Sequence, residues 1–244
     1  MCSYAQTPTE ITAADRYATP ILVEPPRNLA ELLEGRGENF SVEIKLRGTV
    51  TKAGQLTAPV FDAPAGNEKL VKALERELQV WRFRPEIHKT ECHVIEGEML
   101  LSVWFEVING RPSMSVSTPK YPAPAEKAES TTGTPAKSKI VPRVWATAPA
   151  VAYPRKARVA GTEGRAQLLL RANWDGKIVE ASVWTSIPDD EFGKAAMSSL
   201  AAASMLPNLA ESDKSKLSCI SVPFQFCLTN RVIFPSVGCA SAKK

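Results

Sequence analysis

Side chains able to bind a metal are concentrated in one short segment of this 244-residue chain. The segment holds His88, Cys92 and His93 together with Glu86 and Glu91, and all five are competent metal ligands. The chain contains 2 histidines in all, and the same polar cluster is typical of a turn that leads into a strand. We interpret the cluster as a turn and predict no metal site.

A second chemically suggestive segment is the acidic run Asp189, Asp190 and Glu191. Paired carboxylates can perform general acid-base chemistry. However, acidic residues directly after Pro188 are typical of a first helical turn, where negative charge complements the helix dipole. The sequence also has no glycine-rich phosphate loop, no nucleophile elbow and no HExxH motif. We therefore predict a helix start here, no catalytic residues, no cofactor and no enzymatic activity.

The charge of the chain is mild, at +4 with lysines and arginines that form no long runs. This pattern argues against nucleic acid as a partner. No stretch approaches the roughly 18 to 20 apolar residues that cross a bilayer. At the N-terminus, Ser3-Tyr4-Ala5 before Gln6 fits a signal peptidase site. Residues 1–16 are thus interpreted as a signal remnant or as a lipoprotein start with a lipidated Cys2; an ordinary cytosolic start is the alternative.

Five cysteines suit an oxidising compartment. Cys219 and Cys227 lie on one predicted strand, roughly 26 Å apart at about 3.3 Å per residue, so they cannot bond to each other. If the chain reverses direction near Thr229, Cys219 comes opposite Cys239, within disulfide reach. The sequence predicts that bridge, with free buried thiols as the alternative.

Composition divides the chain into two folded parts. Residues 111–139 are rich in Pro, Ser, Thr and Ala and almost lack large apolar side chains, which is typical of a linker. We therefore predict one domain over residues 17–110 and a second over residues 140–240.

The second domain has a clear order of predicted elements. A strand from Arg165 alternates apolar and polar residues, and Asp175-Gly176 provides a hairpin turn to a return strand. A helix after Pro188 carries an apolar stripe at a spacing of four residues, and a last strand runs over residues 219–228.

The first domain repeats that order. Strands over residues 40–49 and 55–61 flank the turn Ala53-Gly54. A helix with an apolar stripe follows and ends at the motif Trp-Arg-Phe-Arg-Pro, residues 81–85. A long strand over residues 93–108 follows. Two domains with one order of elements indicate a duplication.

These elements predict an α+β protein of two small domains. Each would contain a three-stranded antiparallel sheet in the order 2-1-3, with a long and a short helix packed on one face. The last strand is then an edge strand, and Pro223 within it fits such a position. An unpaired edge can accept an extended segment of another protein.

The combined pattern resembles the C-terminal domain of TonB. The second domain carries Tyr153-Pro154, Glu163-Gly164 and Asp175-Gly176, whereas the first carries the Trp-Arg-Phe-Arg-Pro motif at residues 81–85. The first lacks Tyr-Pro and Glu-Gly, and the second has Met205-Leu206-Pro207 in place of an aromatic-basic helix ending. We expect two diverged tandem copies.

The resemblance implies a periplasmic protein of a Gram-negative bacterium that takes part in transport. Its partner would be an outer-membrane receptor or another envelope protein, bound through an extended segment by strand addition. An inner-membrane motor complex would be a further partner if a membrane anchor lies upstream. The alternative is a structural or accessory lipoprotein of an envelope assembly that uses the same fold without energy transduction. The receptor and the oligomeric state remain open.

The resemblance places the binding residues on the two last strands. We predict that the first domain is the open binder, and that Val232 to Val237 fold back to cap the second. The predicted edge residues are Gly97, Met99, Leu101, Val103 and Phe105 in the first domain, and Ile220, Val222, Phe224 and Phe226 in the second.

Overall fold

The computed structural model describes residues 2–11, 17–88, 91–118, 143–209 and 213–228. The chain divides into two compact units. The first unit comprises Tyr17–Ile87 and Ile95–Thr132, and the second comprises Met1–Arg16, His88–Val94 and Gly133–Lys244. The N-terminal segment and a loop from the middle of the chain thus group with the C-terminal part. Among the described residues, no helix combines the length and the apolar character needed to cross a membrane.

The described residues form runs of strands separated by short helices, and the predicted α+β class is confirmed. The strands are β1 (Cys2–Ala5), β2 (Thr9–Glu10), β3 (Thr19–Leu22), β4 (Ser41–Val50), β5 (Leu56–Asp62), β6 (Arg82–Arg84), β7 (Glu86–Ile87), β8 (Val94–Ile95), β9 (Gly97–Ile108), β10 (Arg111–Ser117), β11 (Trp145–Thr147), β12 (Gly164–Ala172), β13 (Ile178–Ile187), β14 (Ser204–Met205) and β15 (Ser218–Cys227). The α-helices are α1 (Leu29–Leu32), α2 (Glu68–Glu77), α3 (Arg155–Ala160) and α4 (Asp190–Ser198).

The first unit is built on a four-stranded sheet in the order β10-β9-β4-β5, with antiparallel pairing throughout. Alternate residues of β4 and β9 point into one core, where α2 covers them with Leu70 and Leu74. Trp81 is 0% exposed, and its indole N–H donates to the carbonyl of Glu24 at 2.9 Å. The predicted burial of Trp81 is thus confirmed, but the helix ends at Glu77 and not at the Trp-Arg-Phe-Arg-Pro motif. Within the motif, Arg82–Arg84 form β6, which pairs with β3.

The prediction that β9 is an edge strand is wrong. β10 pairs along it from Arg111 opposite Ile108 to Ser117 opposite Ser102. Asn109 and Gly110 both adopt positive φ, at 52° and 72°, and reverse the chain between the two strands. The residues that composition assigned to the start of the linker therefore form a strand, whose Met114 and Val116 pack against the core.

The second unit is built on a five-stranded sheet in the order β1-β15-β12-β13, with β2 also paired to β15. Each sheet thus has more strands than the three that were predicted. Helix α4 lies against β12 and β13 and contributes Phe192 and Ala196 to the core. Asp189 caps this helix because its side-chain Oδ1 accepts the N–H of Glu191 at 3.0 Å. The acidic run is therefore a helix start, as predicted.

Candidate functional site: the outer edge of the last strand

The last strand of the second unit, β15, is paired on both sides. β12 runs antiparallel along one side, from Gly164 opposite Phe226 to Ala172 opposite Ser218. The other side, which the sequence predicted to be open or capped from within residues 232–237, is occupied by β1 and β2. Residues 232–237 lie outside the described part of the chain. The edge nevertheless accepts an extended segment from the far end of the sequence.

The pairing of this N-terminal segment, residues 2–11, continues beyond the two short strands. The backbone N–H of Gln6 donates to the carbonyl of Pro223 at 2.8 Å, and that of Ile11 donates to the carbonyl of Cys219 at 3.0 Å. Between the two strands the register shifts, so that residues 6–8 lie opposite residues 222–223. This bulge places Pro8 where the ladder is interrupted, and a proline there loses no pairing donor.

Side chains of the second unit also hold the N-terminal segment. The indole N–H of Trp145 donates to the carbonyl of Gln6 at 3.1 Å. The hydroxyl of Ser3 donates to the carbonyl of Val151 at 2.6 Å. The segment is thus bound by β15 on one side and by the stretch that precedes α3 on the other.

A buried arginine interacts electrostatically with an acidic residue of the same segment. Arg143 is 3% exposed, and its Nη2 donates to the carbonyl of Asn173 at 3.3 Å. Its Nε and Nη1 have no hydrogen-bond partner among the described residues. Burial lowers the pKa of Arg143, and the negative charge of Glu10 opposes that shift. Because Glu10 belongs to β2, pairing of the N-terminal segment also supplies charge compensation to a buried guanidinium.

The predicted binding side chains are core residues in both units. Phe224 and Phe226 are 0% exposed and point inward, and Leu101 and Phe105 of β9 are likewise 0% exposed. What β15 offers to an added strand is therefore its backbone N–H and C=O groups. The remaining predicted residues are also buried: Gly97, Met99, Val103, Ile220 and Val222.

The predicted Cys219–Cys239 bridge is wrong. Cys219 is bonded to Cys92, with the two Cα atoms 5.6 Å apart. Cys92 adopts a positive φ of 52° in the loop that the second unit takes from the middle of the chain, and this turn brings it to β15. Cys227 is also disulfide-bonded. Cys239 lies outside the described residues.

Tyr153 joins the core of the second unit to the loop before β12. Its hydroxyl donates to the carbonyl of Thr162 at 2.7 Å, and its ring meets Phe192 and Phe226 edge-on at 6.2 Å and 5.8 Å. Burial, and to a lesser extent the charge of Glu163, raises the pKa of Tyr153. Tyr153 of the Tyr-Pro motif therefore packs against the inner face of β15.

The Glu-Gly motif, Glu163 and Gly164, makes contacts at the end of β15 and at the start of β12. Oε1 of Glu163 accepts the N–H of Leu228 at 2.8 Å, directly after the strand. A Cβ atom on Gly164 would lie 2.5 Å from Cε2 of Phe192 and 2.6 Å from the carbonyl of Ile187. Only glycine allows this approach, which fixes β12 against α4.

The Asp-Gly turn is held by the segment that follows α4. Gly176 has a φ of 89°, and a Cβ atom there would lie 2.0 Å from the carbonyl oxygen of Met205. Met205 donates its N–H to the carbonyl of Gly176 at 3.0 Å. In the first unit, Phe83 donates its N–H to the carbonyl of Gly54 at 2.9 Å, and Gly54 also has a positive φ, of 74°.

Comparison with known proteins bears on this region. Residues 149–228 match the family model described as Gram-negative bacterial TonB protein C-terminal. The matched residues run from the loop before α3 to the end of β15, all within the second unit. No curated protein and no solved structure matches the chain. The match indicates a TonB-like envelope protein-interaction module, from a family of the Gram-negative periplasm.

Proposed function

We propose that the second unit binds an extended segment of an outer-membrane receptor or another envelope protein by strand addition, and that the outer edge of β15 is the binding site. One observation carries the proposal: this edge holds residues 2–11 of the chain itself as an extended antiparallel segment. A partner segment would form the same backbone ladder. Each net hydrogen bond contributes about 0.5–1.5 kcal/mol, so several in register give useful affinity.

Specificity would come from the groups that flank the edge. On the side of the site, Oε1 of Gln225 accepts the hydroxyl of Tyr4 at 3.3 Å, and the indole N–H of Trp145 donates to the carbonyl of Gln6. A partner segment with an acidic residue at the position of Glu10 would also compensate the charge of Arg143. Alternate side chains of an added strand can thus be distinguished while the backbone supplies most of the affinity.

The N-terminal segment and a partner segment would compete for one edge. The apparent affinity for a partner is then reduced by the fraction of molecules in which the edge is open. Release of residues 2–11 becomes part of binding, which limits pairing with unrelated exposed strands.

We infer that the first unit is a diverged copy of the second. Each contains three consecutive antiparallel strands in an equivalent order, β5-β4-β9 and β13-β12-β15. The interaction of Gly54 with Phe83 corresponds to that of Gly176 with Met205. In the first unit, however, β10 covers the equivalent edge through a local hairpin. The first copy would therefore serve a structural role and leave strand addition to the second.

The proposed location is the periplasm, where the Cys92–Cys219 bridge would form readily. Anchoring through an upstream segment or through lipidation of Cys2 belongs to this proposal, as does coupling to an inner-membrane motor complex. The proposal assigns no catalytic role.

A competition assay tests the binding site. The probe is a fluorescent peptide with the sequence of residues 2–11, and the protein is a variant that lacks residues 1–11. We expect the probe to bind the truncated protein at least about tenfold more tightly than the full chain, because the edge is then open. Extended peptides from the periplasmic side of outer-membrane receptors should displace it. Thr7→Ala in the full chain is the matched control, since Thr7 is exposed between the two strands.

Two outcomes would contradict the proposal. If the truncated protein folds and does not bind the peptide, the edge is not a general acceptor of extended segments. If it binds residues 2–11 but no receptor peptide, the segment is a permanent strand, and the accessory role in an envelope assembly is favoured.

A further inference from the structure

Both histidines of the chain lie in one loop of the second unit, together with Glu91. The Nδ1 atom of His93 lies 3.3 Å from Oε2 of Glu91, and that of His88 lies 3.9 Å from the same oxygen. The two imidazole rings are stacked, with centroids 5.1 Å apart and planes within 5°. The three potential ligand atoms all lie within 4.8 Å of one another.

These distances are close to those of a metal site. A zinc ion binds imidazole nitrogen at about 2.0–2.1 Å and carboxylate oxygen at about 2.0–2.2 Å, so ligands at tetrahedral angles are about 3.4 Å apart. The Glu91 and His93 pair already has this separation, whereas the His88 to Glu91 distance has to shorten by about half an ångström. The ligand atoms lie within 4.8 Å of one another, so the remaining pair has to close by up to about 1.4 Å. One ring also has to rotate, because an imidazole nitrogen binds a metal in the plane of its ring and the two planes are parallel. Coordination at Nδ1 of His88 would replace the 3.3 Å hydrogen bond that this atom accepts from the backbone N–H of Glu91.

The loop is braced on both sides of the three side chains. The backbone N–H of His88 donates to the carbonyl of His93 at 2.9 Å and closes the loop. Cys92, between Glu91 and His93, is covalently fixed to Cys219. A site held in this way loses little chain entropy on metal binding.

Exposure and ligand type indicate what such a site would bind. The side chains of His88 and His93 are 41% and 40% exposed, which leaves coordination positions open to water. Two imidazoles and one carboxylate suit Zn²⁺, Cu²⁺ or Ni²⁺ better than Mg²⁺ or Ca²⁺, which prefer all-oxygen ligands. Cys92 cannot be a ligand because its sulfur is in the disulfide.

We propose that His88, Glu91 and His93 form a surface site for a divalent transition metal, with Zn²⁺ as the representative ion and water in the remaining positions. The ion would link the two sides of the loop and add to the constraint of the neighbouring disulfide.

Titration calorimetry with Zn²⁺ on the untagged, oxidised full chain tests the site. We expect one ion per chain. His88→Ala and His93→Ala should each weaken binding at least about tenfold, because loss of an outer-shell partner alone typically costs ten- to a hundredfold. Glu98→Gln on the exposed face of β9 is the control and should leave the affinity unchanged. Imidazole NMR signals give an independent readout, and Zn²⁺ should shift both histidines of the chain together.

Thermal unfolding of each variant without metal establishes that it is folded. Absence of binding by the full chain at high micromolar Zn²⁺ would overturn the proposal. It would also be overturned if the double variant His88→Ala/His93→Ala kept the affinity of the full chain, which would place the ion on other groups. The double variant Cys92→Ser/Cys219→Ser removes the brace without releasing a thiol ligand. It should weaken binding without abolishing it, and complete insensitivity would refute the role of the brace.

Discussion

Gln6 donates its backbone N–H to the carbonyl of Pro223 at 2.8 Å, across more than two hundred residues of sequence. The bond lies between β1 and β2, where the ladder is interrupted. It therefore holds the N-terminal segment at the point where pairing is weakest, and replacement of its donor tests how firmly the segment is bound.

The substitution Gln6→Pro removes this donor and keeps the carbonyl that Trp145 binds. We expect faster hydrogen exchange of the β15 amides that face the N-terminal segment, because loss of one net hydrogen bond costs about 1 kcal/mol. Exchange within β12 and β13 should change little. Mass spectrometry of peptides that cover residues 218–228 measures the effect. Protection equal to that of the wild type would mean that this bond does not hold the segment.

The substitution Gly164→Ala should destabilise the second unit by about 1–3 kcal/mol, because the added methyl group overpacks a closed contact with Phe192. Urea denaturation followed by tryptophan fluorescence measures the change. Gly37→Ala is the matched control, since a Cβ atom at Gly37 meets no atom within 4 Å. Equal stability of the two variants would show that the core near α4 can adjust.

We expect the second unit to lose stability in alkali because of Tyr153. Tyrosine in an unfolded chain ionises near pH 10, and burial raises the pKa of Tyr153 above this value in the folded protein. The folded state then retains a proton that the unfolded state has lost. The stabilising contribution is complete below about pH 10 and is lost as the pH rises through the folded pKa.

The test of this pH dependence is to measure the free energies of unfolding of the wild type and of Tyr153→Phe. The measurements run from pH 8 to 11.5, roughly the range in which tyrosine titrates. The variant should be about 1 kcal/mol less stable at neutral pH, since it lacks the hydrogen bond to Thr162. Its stability should decline less steeply in alkali. Parallel curves would mean that Tyr153 does not contribute to the alkaline transition.

The double variant Cys92→Ser/Cys219→Ser removes a bridge between residues 127 positions apart. We expect a loss of about 2–5 kcal/mol, because a long loop is freed in the unfolded chain. Denaturant titration under oxidising conditions measures the loss. Peptide mapping of the wild type should recover a disulfide-linked pair that contains Cys92 and Cys219. Recovery of Cys219 joined to Cys239 would instead restore the pairing that the sequence suggested.

Features fixed by local chemistry were predictable. The helix capped by Asp189 and the burial of Trp81 follow from short patterns of residues close in sequence. The β9–β10 hairpin was also within reach, because Asn109-Gly110 is a strong turn signal that the Pro-rich composition after it obscured.

The candidate site was not predictable in the same way. Alternation in β15 identifies Phe224 and Phe226 as inward-facing but does not say which segment lies beside the strand. Strand pairing between the two ends of a chain leaves no local pattern. The disulfide connectivity was not predictable either, because several pairings are compatible with one sequence.

The second unit is assembled from three separate parts of the chain, residues 1–16, 88–94 and 133–244. As the chain is made or threaded from its N-terminus, residues 2–11 emerge long before β15, the strand that they join. The first unit can fold during that interval, whereas the N-terminal segment has no β15 to pair with. The order of synthesis therefore gives any competing extended segment its best access to β15 at the moment this last strand appears.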